Sequence, residues 1–350
     1  MMPFERETMI SLVLEEIGRL VVAEDVKPAP GAGEVRVRVA VTGICGSDIH
    51  GYTGENGRRF PGQVMGHEAS GWIDQIGPDS EEFGLSLNQP VTFNPLVVPL
   101  DQAENFRGRE QHCPDRYVIG VKASIPAAFA THVIIPSRNI VPLGPDVPVE
   151  HGALVEPLAV GVHAVRRVMA EPDTRCLVIG GGPIGQAVVL ALKMAGVGQI
   201  YVSEVDSARR DLVEQLGARA LDPLAEPLTT ALDALGGPVG VTFDAVGTDS
   251  SVADALSTTT RGGRICLVGM GSPAITLNAF RISTDERSLV GSFTYSGQDF
   301  LDAAEYVSRA SKEMSLLISR EVSPAEADSA FRSLAKGDGT PGKVLVRFNA

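Results

Sequence analysis

The chain has 350 residues, 44% of them hydrophobic, and a formal net charge of −13. That length exceeds what one hydrophobic core usually serves, so two domains are expected. The acidity argues against nucleic acid and anionic membranes as partners, because phosphates and acidic lipids repel such a surface.

The first residues are acidic where a secretion signal is basic, and no stretch approaches the length of a membrane span. Cys45, Cys113, Cys176 and Cys266 are widely scattered, which suits a reducing compartment better than a disulfide framework. A cytoplasmic protein is expected.

From Glu34 to Val41 valine occupies positions 35, 37, 39 and 41, a period of two that predicts a strand with one face buried. It runs straight into Gly43-Ile44-Cys45-Gly46-Ser47-Asp48-Ile49-His50. Short apolar segments broken by Gly and Pro continue from there, so the first 150 residues read as mainly β and barrel-like. Taken singly, a cysteine is most often a small buried hydrophobe and a histidine a satisfied polar group. Cys45, His67 and Glu68, flanked by glycines, together offer the thiolate, imidazole and carboxylate that a catalytic zinc takes when one position must stay open. Asp48 is the expected acceptor for the second nitrogen of His67. Its alternative role, shared with Ser47, is capping the turn after the strand.

From Glu150 the character changes. His151 to Met169 carries small and apolar residues at helical spacing, with Glu156 at its start and His163 as a hydrogen-bonded helix residue. Arg175 to Ile179 is an apolar strand leading into Gly180-Gly181-Gly182-Pro183-Ile184-Gly185, and a helix follows. In that context the glycines form a dinucleotide loop: Gly180 for the tight turn, Gly182 for the approach of phosphate, Gly185 for close packing. The next strand ends at Glu204, where a ribose-binding carboxylate belongs, favouring NAD over NADP. Arg209 and Arg210 follow. An arginine here can receive a 2′-phosphate, but both also fit the solvated face of a helix from 208 to 216.

Further strands are expected over 241–247, 263–269 and 288–295, with a helix near 251–258, which makes a doubly wound parallel sheet. Val246, Val268 and Phe293 then fall where the nicotinamide would sit, and Cys176 and Cys266 fall in inert core. Helices over 300–310 and 324–335 and a strand from Lys343 close the chain.

The segments Gly43 to His50, Gly66-His67-Glu68-Ala69-Ser70-Gly71 and Glu156-Pro157-Leu158 resemble the zinc-dependent medium-chain alcohol dehydrogenases, and within them the sorbitol and polyol branch. The resemblance implies an α/β protein: a GroES-like, β-rich catalytic domain over 1–157 and 296–350, and a Rossmann NAD-binding domain over 158–295. It also implies that Cys45 and His67 ligate zinc with Glu68 and Glu156 as carboxylate ligands, either of which can be the inner one. Ser47 and His50 would relay the proton of a secondary alcohol as hydride passes to NAD. Such a protein is a homodimer or homotetramer.

Many relatives hold a second zinc on four cysteines. The matching positions here are Pro99, Gln102, Asn105 and Cys113, so one zinc and no structural zinc is expected. Packing of Phe106, hydrogen bonds from Gln102 and Asn105, or a subunit contact could order that lobe instead. Tyr52, Arg58, Glu156 and Tyr295 are candidate substrate contacts for a polyol, sugar alcohol or cyclitol. Thr294 stands where the sorbitol enzymes carry arginine, which leaves the choice of alcohol open. The rival readings are a zinc-free quinone or enone reductase of the same superfamily, and a non-catalytic dinucleotide-binding module.

Overall fold

The structure, a computed structural model, describes residues 7–55, 57 and 59–348. The chain divides into two compact units, one of residues 1–156, 300–338 and 343–350, the other of 157–299 and 339–342.

The first unit is built on β-sheet. Its largest sheet has seven strands in the order Ile140–Pro142, Pro90–Phe93, Glu68–Ile76, Glu34–Gly43, Lys343–Arg347 and Ile318–Val322, with His132–Pro136 pairing on the remaining length of Glu34–Gly43. The central strand follows its alternation: Val35, Val37, Val39 and Val41 are all at most 1% exposed. Arg36 turns the other way to bond Asp74, and the Arg38 guanidinium lies 4.6 Å from the Trp72 ring centroid. Burying each valine stabilises the fold by roughly 1.5 kcal/mol. Val35, Val37 and Val39 enter a core that includes Phe93, Phe129, Phe331 and Tyr52, whereas Val41, past a register shift, packs with Ala153 and Leu345.

The second unit is a six-stranded, wholly parallel sheet in the order Arg219–Leu221, Gln199–Ser203, Arg175–Ile179, Val239–Asp244, Thr259–Leu267 and Ser288–Gly291. Counted within the unit this is 3-2-1-4-5-6, the doubly wound order in which a dinucleotide lies across the switch point between strands one and four. The last strand is shorter than the expected 288–295. It stops at Gly291, and Thr294 takes a left-handed backbone with φ of +51° that no strand accommodates. The expected helix from 151 begins as a 3-10 segment, Val149–Leu154, and becomes α-helix over Val155–Arg167. Among the described residues no helix is long and apolar enough to cross a membrane.

Candidate active site

Three donor residues meet in the first unit. Cys45 stands between the end of the strand Glu34–Gly43 and the helix Gly46–Thr53. Glu68 opens the antiparallel neighbour and is registered opposite Gly43. A Cβ at position 43 would lie 2.5 Å from Glu68 Oε2, so glycine there leaves room for the carboxylate. Gly66, at φ +102°, makes the turn before His67, and a Cβ on it would meet Phe129 N at 2.7 Å. As a result Cys45, His67 and Glu68 each offer a ligand atom within 4.8 Å of the others, the one such grouping among the described residues.

The surroundings of this cluster are dry and charged. His67 and Glu68 are 5% and 0% exposed. Lys343, equally buried, donates to Glu68 Oε1 at 2.5 Å and approaches Ile44 O at 3.4 Å. Glu68 Oε2 and His67 Nδ1 are buried without a hydrogen-bond partner among the described residues. Burial pulls the His67 pKa down, but the charges of Asp48, Cys45 and Glu156 outweigh it and raise the value to about 10. Burial likewise works against the Lys343 ammonium, and Glu68, Cys45 and Glu156 more than compensate. The Cys45 sulfur, the His67 ring and the Glu68 carboxylate are a donor set that suits zinc, and Glu68 Oε2 and His67 Nδ1 have no other described hydrogen-bond partner. Glu156, on the first turn of Val155–Arg167, lies outside the 4.8 Å grouping although its charge reaches both His67 and Lys343.

Asp48 does not hydrogen-bond His67 as expected. Its Oδ1 faces Nδ1 at 3.6 Å, an ion-pair rather than a hydrogen-bond distance, while Oδ2 accepts the Cys45 N–H at 3.2 Å at the helix start. Arg59 sits on the same carboxylate at 3.8 Å. Ser47 and His50 are three apart on one helix and so share a face. Ser47 is half-buried, whereas the His50 side chain is 45% exposed and Nδ1 meets Glu55 at 2.7 Å.

Tyr52 corrects another expectation. Only 3% exposed, it donates its hydroxyl to Gly18 O at 2.5 Å and lies 3.0 Å from Asp328 Oδ1, with its ring against Phe331. It is a core residue, committed away from any substrate. Arg58 lies outside the described residues. Tyr295 belongs to the second unit and is 1% exposed.

In the second unit Gly180, at φ +94°, turns the chain out of its strand, and a Cβ on Gly185 would lie 1.8 Å from Gly180 O. Gly182, Pro183 and Ile184 then start the helix Pro183–Met194. Glu204 accepts the N–H of Gly181 at 2.7 Å and of Asp206 at 2.9 Å. A carboxylate so engaged keeps lone pairs for further donors. Arg210 pairs with Asp222 and bonds the carbonyls of Glu204 and Val205. Arg209 departs from the solvated-face expectation: its Nη1 lies 3.8 Å from a Cβ built on Gly182, over the glycine loop, and its Nε is buried without a partner. Val246 and Phe293 are 37% and 47% exposed, and Val268 is half-buried.

An alcohol dehydrogenase GroES-like domain model matches residues 31–146, and a zinc-binding dehydrogenase model matches residues 183–309. The chain is 33% identical over 335 residues to a 2-dehydro-3-deoxy-L-galactonate 5-dehydrogenase of Pseudoalteromonas atlantica, covering 92% of this chain and 94% of that protein. The chain belongs to the zinc-dependent medium-chain alcohol dehydrogenases. This dehydrogenase is also 30% identical to a sorbitol dehydrogenase of Arabidopsis thaliana over 92% of its own length and 90% of the relative's. Among solved structures it resembles a protein of Escherichia coli CFT073 described as a short chain alcohol dehydrogenase complexed with NADH, at TM-score 0.88 and 26% identity, covering 97% and 99% of the two chains.

The lobe around Cys113 in this dehydrogenase is held by hydrogen bonds. The buried Cys113 thiol donates to Gln102 Oε1 at 3.2 Å, and Gln102 Nε2 donates to Asp115 at 2.7 Å. Asn139 clamps the carbonyls of Asn94 and Leu96. Sequence reasoning missed Lys343 and also Gln186, which donates to Gly181 O and Pro341 O, both at 2.7 Å. The one available signal was a lysine directly before the apolar run Val344-Leu345-Val346.

Proposed function

We propose that this protein oxidises a secondary alcohol of a polyol, sugar alcohol, cyclitol or sugar acid to the ketone, with one zinc ion and NAD. The grouping of half-buried Cys45 with buried His67 and Glu68, whose Nδ1 and Oε2 have no other described hydrogen-bond partner, carries this reading. When bound there, zinc acts as a Lewis acid that lets an alcohol lose its proton near neutral pH.

Cys45, His67 and Glu68 would hold the metal. Glu156, outside the 4.8 Å grouping, would be the second carboxylate available to the metal, and Lys343 fixes one oxygen of Glu68. The half-buried Ser47 hydroxyl takes the substrate proton and hands it to His50, whose exposed ring delivers it to solvent. Glu204, facing Gly181, would accept the ribose hydroxyls and repel a 2′-phosphate, which supports NAD. Arg209 over Gly182 would instead contact the pyrophosphate. Proline and amides at three of the four matching positions, Pro99, Gln102 and Asn105, support a single zinc per chain. The scattered cysteines support a cytoplasmic enzyme, and we expect a homodimer or homotetramer.

A panel of polyols, sugar acids and cyclitols assayed with NAD and NADP at the nicotinamide absorbance tests this reading. Activity should vanish on chelation and return with zinc. Activity that survives in verified metal-free protein would favour the zinc-free reductase, and cofactor binding with no turnover of any alcohol would favour the non-catalytic module.

A further inference from the structure

Asp244, the last residue of the fourth parallel strand, is 0% exposed and lies under two loops. Its carboxylate accepts the N–H groups of Val246 and Gly247, both at 2.9 Å, through Oδ1, and the Ser251 hydroxyl at 3.0 Å through Oδ2. Its carbonyl accepts Val268 N–H at 3.0 Å and Gly269 N–H at 2.8 Å. A single residue therefore ties the loop after strand four to the loop after strand five.

The two loops are also pressed together so closely that only glycine fits. A Cβ on Gly247, at φ +80°, would lie 2.3 Å from Gly269 O, and one on Gly269 would lie 2.4 Å from Val246 N. Gly271 N–H donates to Val246 O at 2.9 Å. On its other side Val246 abuts the phosphate-loop turn, since a Cβ on Gly180 would meet Val246 Cγ2 at 2.7 Å. Val246 and Met270 remain 37% and 62% exposed on this assembly, leaving an apolar surface available.

In a doubly wound sheet the adenosine half of a dinucleotide lies over strands one to three and the second nucleotide over strands four to six. The geometry points to Asp244 as a positioning residue that holds the loops 245–247 and 268–271 in the form that receives the nicotinamide half of the cofactor. This inference rests on the dinucleotide reading of the second unit. A buried carboxylate suits the task because one oxygen can take two converging N–H groups while the other takes a hydroxyl. Its removal leaves those donors without partners in a dry site.

The test compares two ligands on the full-length, zinc-loaded protein by titration calorimetry: NADH, and ADP-ribose, which lacks only the nicotinamide. Asp244→Ala should weaken NADH by about tenfold or more, while ADP-ribose stays within about threefold of wild type. Asp244→Asn should keep NADH within about threefold, because its amide oxygen can accept both N–H groups and its NH₂ can meet the Ser251 oxygen. Gly269→Ala presses on Ala245 and Val246 of the same loop while leaving the Asp244 carboxylate in place, and should repeat the selective loss, which keeps the test available if Asp244→Ala is poorly folded. Equal losses for both ligands, or no loss for NADH, would overturn the positioning role. A wild-type protein that binds neither ligand would instead overturn the dinucleotide reading beneath it.

Discussion

Replacing Lys343 with methionine removes the ammonium beside Glu68 and keeps a stem of similar length in the strand. In the wild type Nζ lies 2.5 Å from Glu68 Oε1, and the two side chains are 5% and 0% exposed. Water does not replace the lost partner in so dry a site, and stripping one member of a buried pair costs about 3–5 kcal/mol. That cost should fall mainly on the metal-free protein. A zinc ion in the same cluster supplies positive charge of its own, so the loaded variant should lose less. If the difference is about 2 kcal/mol, linkage requires zinc to bind the variant roughly thirtyfold tighter than it binds the wild type. The chain has one tryptophan, Trp72, on the strand Glu68–Ile76 that Glu68 opens. Urea unfolding followed by its fluorescence therefore reports on the unit concerned. Lys343→Arg, which keeps the charge, should recover most of the loss. An apo Lys343→Met protein within about 1 kcal/mol of wild type, or equal losses with and without zinc, would refute the reasoning.

Gly43→Ala puts a methyl group 2.5 Å from Glu68 Oε2. It should displace that carboxylate and lower zinc affinity by about tenfold or more, read by competition with a chelator. His132 is 6% exposed, and burial, followed by the charge of Lys27, lowers its pKa from 6.5 to about 4. The folded state thus resists protonation that the unfolded chain accepts. Stability should be complete above pH 6.5 and fall by roughly 2–3 kcal/mol as pH drops towards 4, and His132→Gln should remove that part of a pH series of urea midpoints. Burial pushes the thiols of Cys176 and Cys266 up to about 12, whereas Cys45 is partly exposed. Alkylation of chelated protein at pH 8 should mark Cys45 first, and zinc should slow it; fast labelling of Cys176 or Cys266 would count against the packing described here.

Local chemistry made much of the fold legible. Valine at every second position from 35 to 41 marks a strand whatever surrounds it, and Gly180 to Gly185 between an apolar strand and a helix marks a dinucleotide loop. Longer-range commitments were hidden. Tyr52 sits in a polar stretch and invited a substrate role, yet its hydroxyl meets Asp328, 276 residues away. Arg209 looked like part of a solvated helix face, but the helix Ser207–Gln215 turns it over Gly182.

By itself the sequence determined which residue types were available for chemistry and which short elements carry them, because period, turn residues and capping act over a few neighbours. Only the tertiary structure decided which of those residues meet. It grouped Cys45, His67 and Glu68 within 4.8 Å, with Glu156 outside that group, and seated Lys343 from the far end of the chain against Glu68. It also gave Asp244 two loops to hold. Burial and the pairing of charges are properties of closed packing between distant segments, and no local pattern encodes them.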